Sequence, residues 1–346
     1  MKPEKGAVRL LLLVEMVLLA VVIVFGIVRT VSTQKTERVS RSESTEALPT
    51  EADENETKTE EKAMSVEVTE VQTEQSFSAE VEEKLGTMTL EEKIAQMFLT
   101  TPESLTQSEQ VNIAGAGTRN AINEYPVGGL IYADINYQGR EQAGNLMFNA
   151  GQMSNERIGL YLLLAVRMEA EDGTPTVGIA DGHEPDALVE ALAAKRFSAD
   201  SAGISQPSVF PAQQMDITSN TTWIMLDAAA DVSVTGEENL PCTLSNKCVE
   251  TLRAAGYEGV ILTDSLSSDS IKNTYSVGEA AVLAIEAGVD MVYCPENFPD
   301  AYQAVLDAVH AGEIAEEQIN QAVGRILTQK YRMPVVVTEP EQEEQT

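Results

Sequence analysis

Six short apolar runs, at 127–133, 161–166, 203–210, 223–228, 259–264 and 290–294, are each bounded by turn residues. Most are continuous rather than alternating, which is how strands covered on both faces read. Amphipathic helical patterns at 138–153, 185–194, 244–255, 277–287, 301–311 and 316–330 fall between and after them. Strands and helices in alternation mark a parallel α/β architecture. The span 77–333 suits a TIM-type (β/α)8 barrel, which takes about 250 residues. Only six strands are visible, so the expectation is an incomplete barrel, with the shortage between 180 and 222. Ser245 is the expected N-cap of the 244–255 helix and Gly256 its stop.

Two very different segments precede this region. Residues 10–28 are apolar except for Glu15, long enough to cross a bilayer as a helix. Lys2, Lys5 and Arg9 precede the run and Arg29, Lys35, Arg38 and Arg41 follow it, so flanking charge does not set its orientation. A cleaved signal peptide is the rival reading, but no small-x-small site follows Phe25. An uncleaved membrane anchor is expected, and either reading exports the rest of the chain. Residues 32–76 are rich in Glu, Thr and Ser and cannot bury enough surface to offset their ordering entropy. The expected organisation is a stub and transmembrane anchor (1–31), a disordered acidic stalk (32–76), the α/β domain (77–333) and an acidic tail (334–346). This places the folded domain outside the cytoplasm, tethered to the cell membrane.

Acidic residues outnumber basic ones 55 to 23, a formal charge of −32. Such a surface repels nucleic acid and anionic lipid headgroups. Three cysteines are too few for a disulfide framework or a zinc site. Cys242 and Cys248 can pair, although their spacing does not establish it, and Cys294 ends an apolar run as a buried thiol would. The GAGTRN stretch at Gly115 opens no strand-to-helix crossover of the phosphate-binding kind. Neither a metal nor a cofactor is expected.

Several stretches together resemble family 3 glycoside hydrolases, in particular the bacterial β-N-acetylhexosaminidase branch. They are MTLEEKIAQMFL (88–99) with TPESL (101–105), YPVGGLIYADIN (125–136) with Gln142, and PCTLSNKCVETLRAAGYEGVILTDSLSSDSI (241–271). EAAVLAIEAGVDMVYCPENFPDAYQAVLDAVHAGEI (279–314) and AVGRILTQK (322–330) complete the set. The resemblance implies hydrolysis of a β-linked N-acetylglucosaminide in cell-wall or related glycans by a retaining mechanism, with carbohydrate as partner. Such chemistry needs a carboxylate nucleophile and a separate proton donor. The family's nucleophile falls on Asp264, and barrel catalysis sits at strand C-termini, where GVILTD ends. A helix-capping aspartate is the structural alternative.

Elsewhere the family pattern is eroded. Its acidic sugar-binding motif would begin where Arg167 stands, and Glu169 two residues on is the candidate substitute. Lys195, Arg196 and Phe197 resemble an Arg-Ser-Phe segment, making Arg196 a candidate substrate contact. The histidine loop that supplies the family's acid/base has no counterpart. If SVFPAQQ is its remnant, the histidines have become Val209 and Gln213, and a further one is Ala228. The proton donor is therefore unidentified. His183, between Asp181 and Asp186, is the one candidate, while His310 falls on a closing helix. Trp223 begins a strand and reads as core. Two functions remain open: a glycosidase with an altered acid/base, or a degenerate relative that binds glycan or protein at the cell envelope. A chain that has lost an internal segment also fits the missing strands.

Overall fold

A computed structural model describes residues 74–169, 175–196, 201–211 and 221–334. The expected anchor at 10–28, nearly all of the stalk and the tail beyond Pro334 lie outside the described residues. Among the described residues no helix is long and apolar enough to cross a membrane.

Helices α1 (Glu74–Thr87) and α2 (Leu90–Gln96) open the unit, α1 beginning within the last three residues of the expected stalk. A capping box of Thr89 and Glu92 starts α2. The apolar residues that follow α2 form strand β1 (Phe98–Thr100). Next come α3 (Pro102–Thr106), α4 (Ala116–Glu124), β2 (Gly129–Tyr132), α5 (Arg140–Ile158) and β3 (Leu163–Glu169). β4 (Pro175–Ala180), α6 (Asp186–Ala194), β5 (Ile204–Ser205), β6 (Ser208–Phe210) and β7 (Trp223–Leu226) follow. The last third holds α7 (Val232–Thr235), α8 (Asn246–Ala254), β8 (Val260–Thr263), α9 (Asp269–Lys272), α10 (Val277–Glu286), β9 (Val292–Cys294), α11 (Phe298–Ala311) and α12 (Glu316–Arg332).

The fold is mixed α/β. One sheet has the order β5-β4-β3-β2-β1-β9 and another β6-β7-β8. A parallel bridge from Leu262 to Met291 joins β8 to the start of β9, and β5 and β6 are successive pieces of the stretch read as one strand, 203–210. The parallel strands run together through β9, β1, β2 and β3 and through β6, β7 and β8. The described residues hold nine strands rather than the six expected: β1 and β4 are additional, and the 203–210 run divides into β5 and β6. β4 pairs antiparallel with both β3 and β5, a reversal absent from a regular (β/α)8 barrel.

Local sequence explains the close contacts. A Cβ on Gly128 would meet the Gln96 carbonyl oxygen at 2.0 Å, so only glycine lets the chain enter β2 this close to the end of α2. Phe98 of β1 packs edge-on against Phe298 of α11, with ring centroids 5.3 Å apart. At the start of β9, buried Asp290 accepts from Arg253, from Arg325 at 2.8 Å and from the Ile261 amide at 2.8 Å. This fully partnered carboxylate ties the last strand to α8 and α12.

Candidate active site

Strand β8 ends in Thr263, and the next residue, Asp264, is half-buried at the C-terminal end of the parallel strands. Its amide donates to the Leu226 carbonyl at 2.9 Å, continuing the ladder to β7, and also to Thr243 Oγ1 at 3.1 Å. The Ser265 amide donates to Asp264 Oδ1 at 2.6 Å, and the Ala228 amide favours the charged form of this carboxylate. Burial pushes the Asp264 carboxyl above the usual range and the charge of Asp227 adds to this, while the two amides and the Arg167 guanidinium favour the ionised form.

Asp227 holds the matching place on the neighbouring strand. Leu226 and Thr263 are register partners, so the residues after them are neighbours too. The Asp227 amide donates to the Phe210 carbonyl at 2.8 Å, and its Oδ1 accepts from the Ala229 amide at 2.8 Å, forming an Asx turn. The sequence reading passed over Asp227. A signal for it exists, because WIMLD (223–227) and VILTD (260–264) are both apolar runs ending in aspartate.

One short segment holds both strand ends. The Thr243 amide donates to the Asp227 carbonyl at 3.1 Å while its hydroxyl accepts from Asp264. Pro241 bridges Ala230, and the Cys242 amide donates to the Ala229 carbonyl at 3.3 Å. Cys242 and Cys248 form a disulfide across this segment, with Cα atoms 5.8 Å apart. Ser245 is the N-cap of α8 but makes no side-chain capping bond. Cys294 is a buried free thiol.

The other expected site residues separate. Arg167, exposed near the end of β3, acts electrostatically on both Asp264 and buried Tyr293, and makes no hydrogen bond or ion pair among the described residues. Glu169 closes β3 opposite Pro175, and its side chain is outside the described residues. Arg196 is exposed in a surface pocket of 440 Å³ shared with Asp186, Glu190 and Ser201, beside α6 and β5. None of the residues that contact Asp264 line that pocket.

His183 is carried to the opposite end of the parallel strands. Antiparallel β4 runs back along β3, from Pro175 opposite Glu169 to Ile179 opposite Ala165, so the following loop emerges where β3 begins. There His183 stacks on Tyr161, with ring centroids 4.7 Å apart. Its Nδ1 is buried without a partner. Burial, followed by the charge of Lys330, lowers the imidazole to about 4. Buried Lys330 donates to Gln96 Oε1 at 2.8 Å and to the Tyr161 carbonyl at 2.9 Å, and desolvation lowers it to about 7. Both partners precede their strands, whereas Asp264 follows its own, so His183 and Asp264 do not share a site. His310 is exposed on α11, Trp223 and Ala228 are buried, and Val209 is exposed on β6. Gln213 falls outside the described residues. No cluster of three metal-ligating side chains occurs among the described residues.

Residues 195–329 match the family model for the glycosyl hydrolase family 3 N terminal domain. That stretch carries Asp227, Thr243 and Asp264. Beta-hexosaminidase A of Pseudoalteromonas piscicida is 26% identical over 132 residues, 35% of this chain and 22% of that protein. The chain thus spans about a fifth of this curated relative. Among solved structures, a glycoside hydrolase family 3 beta-N-acetylglucosaminidase from Paenibacillus sp. str. FPU-7 aligns with a TM-score of 0.54 at 21% identity, covering 75% of this chain and 66% of that one. A glycosyl hydrolase of the same family from Mycobacterium smegmatis aligns with a TM-score of 0.51 at 17% identity, covering 71% and 98%. These likenesses concern the fold.

Proposed function

We propose that this chain, a divergent relative of the glycosyl hydrolase family 3 N-terminal domain, is a retaining glycosidase acting on β-linked N-acetylglucosamine in cell-wall or related glycans. The observation that carries this reading is Asp264. It is a half-buried carboxylate at the C-terminal end of β8, held by the Ser265 amide, inside the family-matched stretch. Attack by such a carboxylate on an anomeric carbon gives a glycosyl-enzyme intermediate. We read the two joined sheets as a (β/α)8-type barrel in which β4 has reversed, with its mouth at the strand C-termini.

The proposed setting is extracytoplasmic. A disulfide persists in oxidising compartments, and the Cys242–Cys248 bridge agrees with export through the apolar run at 10–28. Tethering to the cell membrane by that run is part of the same proposal.

Arg167 and the displaced His183 favour the second reading, a degenerate envelope-binding relative, because the site has exchanged an acidic sugar contact for a cation and holds no histidine among the described residues. Hydrolysis of a chromogenic β-N-acetylglucosaminide by the full chain, beside Asp264→Asn, separates the two. The glycosidase reading expects turnover that the substitution abolishes. A folded chain without turnover in either form points to the binding protein.

A further inference from the structure

A retaining glycosidase needs a second acidic group to protonate the departing oxygen; His183 lies at the other end of the strands beside Tyr161, and His310 is exposed on α11. Asp227 is the carboxylate that the fold sets beside it. The residues preceding the two aspartates are register partners in neighbouring parallel strands, and the Asp264 amide donates to the carbonyl of Leu226, the residue before Asp227, at 2.9 Å. Neighbouring strands are about 4.8 Å apart. The two carboxyl groups of a retaining pair are separated by about 5–5.5 Å, a span that adjacent strand ends can supply.

Resting on the glycosidase reading, we infer that Asp227 is the general acid and base of the reaction. In the first half, an Asp264 oxygen bonds to the anomeric carbon as the glycosidic C–O bond breaks. The Asp227 carboxyl gives its proton to the leaving oxygen, which departs as an alcohol. In the second half, the Asp227 carboxylate takes a proton from water as the water oxygen bonds to the anomeric carbon. The Asp264–sugar ester bond breaks, which restores both groups. Thr243, bonded to the backbone of both aspartates, holds the pair in register.

The Asx turn at Asp227 is a purely structural use of the same side chain, and Asp227→Asn tells the two apart: asparagine keeps the turn's oxygen acceptor but has no acidic proton to give. The full chain, its Asp227→Asn and Asp227→Ala variants and Asp264→Asn are assayed on two N-acetylglucosaminides, one with an acidic nitrophenol and one with an alkyl alcohol as leaving group. Circular dichroism is recorded for each. Asp227→Asn is expected to lose about 10²–10⁴-fold on the alkyl substrate and much less in the bond-breaking step of the nitrophenyl one, which needs little protonation. Azide, which needs no base, is expected to restore turnover of Asp227→Ala and yield a glycosyl azide of retained configuration. If Asp264→Asn is inactive while Asp227→Asn keeps wild-type rates on both substrates, the inference fails and the glycosidase reading stands. Equal losses on both substrates without azide rescue also overturn it, leaving Asp227 a structural turn residue. A folded wild-type chain that hydrolyses neither substrate overturns the glycosidase reading and the inference with it.

Discussion

Asp264 owes its chemistry to what surrounds one side chain. Burial and the Asp227 charge oppose its ionisation, while Arg167 and the Ser265 and Ala228 amides favour it. If Asp264 is the proposed nucleophile it must be ionised, so hydrolysis is expected to fall as pH drops through its raised pKa. Arg167→Ala removes a nearby positive charge and raises that pKa further, so the acid limb of the kcat/KM–pH profile should move to higher pH. An acid limb that stays in place or moves down would show that Arg167 does not act on Asp264. Asp264 was legible in the sequence because it closes an apolar run inside a recognisable stretch. Asp227 closes a similar run, but its partnership with Asp264 depends on β7 and β8 pairing in parallel at equal register, which residue order alone does not state.

At the scale of elements, the reversal of β4 accounts for where His183 lies. A charged loop after an apolar run resembles a strand end that faces the substrate, and His183 sits in such a loop. Its strand runs backwards, so the loop emerges at the far end beside Lys330 and Tyr161. Direction is set by the partner strand and leaves no mark on the hydrophobic pattern. β1 was hidden for a related reason, since its apolar residues continue the buried face of α2 without a turn signal. The helices from 138 onwards were more legible because their apolar periodicity and glycine stops are local; Gly256, at φ +85°, follows the end of α8. The segment 241–245 shows an element built to position others. Opening its disulfide should cost about 2–4 kcal/mol of stability and loosen Thr243 between the two aspartates. Reductant is expected to slow hydrolysis by the wild-type chain and to leave Cys242→Ala/Cys248→Ala at its own lowered rate. Equal rates for reduced and oxidised wild type would show that the bridge does not support the site.

For the molecule as a whole, the family-matched residues 195–329 supply β5, β6, β7, β8 and β9 in full, while the preceding strands complete the larger sheet. The stretch that carries Asp264 is therefore the one that matches the family model, and β1 to β4 lie outside it. Net charge −32 directs the whole surface away from polyanions and leaves a neutral glycan as a compatible partner. The central claim is that Asp264 forms a covalent bond to sugar. Its most direct test is intact-protein mass spectrometry of the full chain treated with a fluorinated N-acetylglucosaminide bearing an activated leaving group, which slows release of the glycosyl-enzyme. The predicted result is the mass of one sugar residue added to the peptide that contains Asp264, and none added to Asp264→Asn. A folded wild-type chain that stays unlabelled, or that carries the sugar on another peptide, would contradict it.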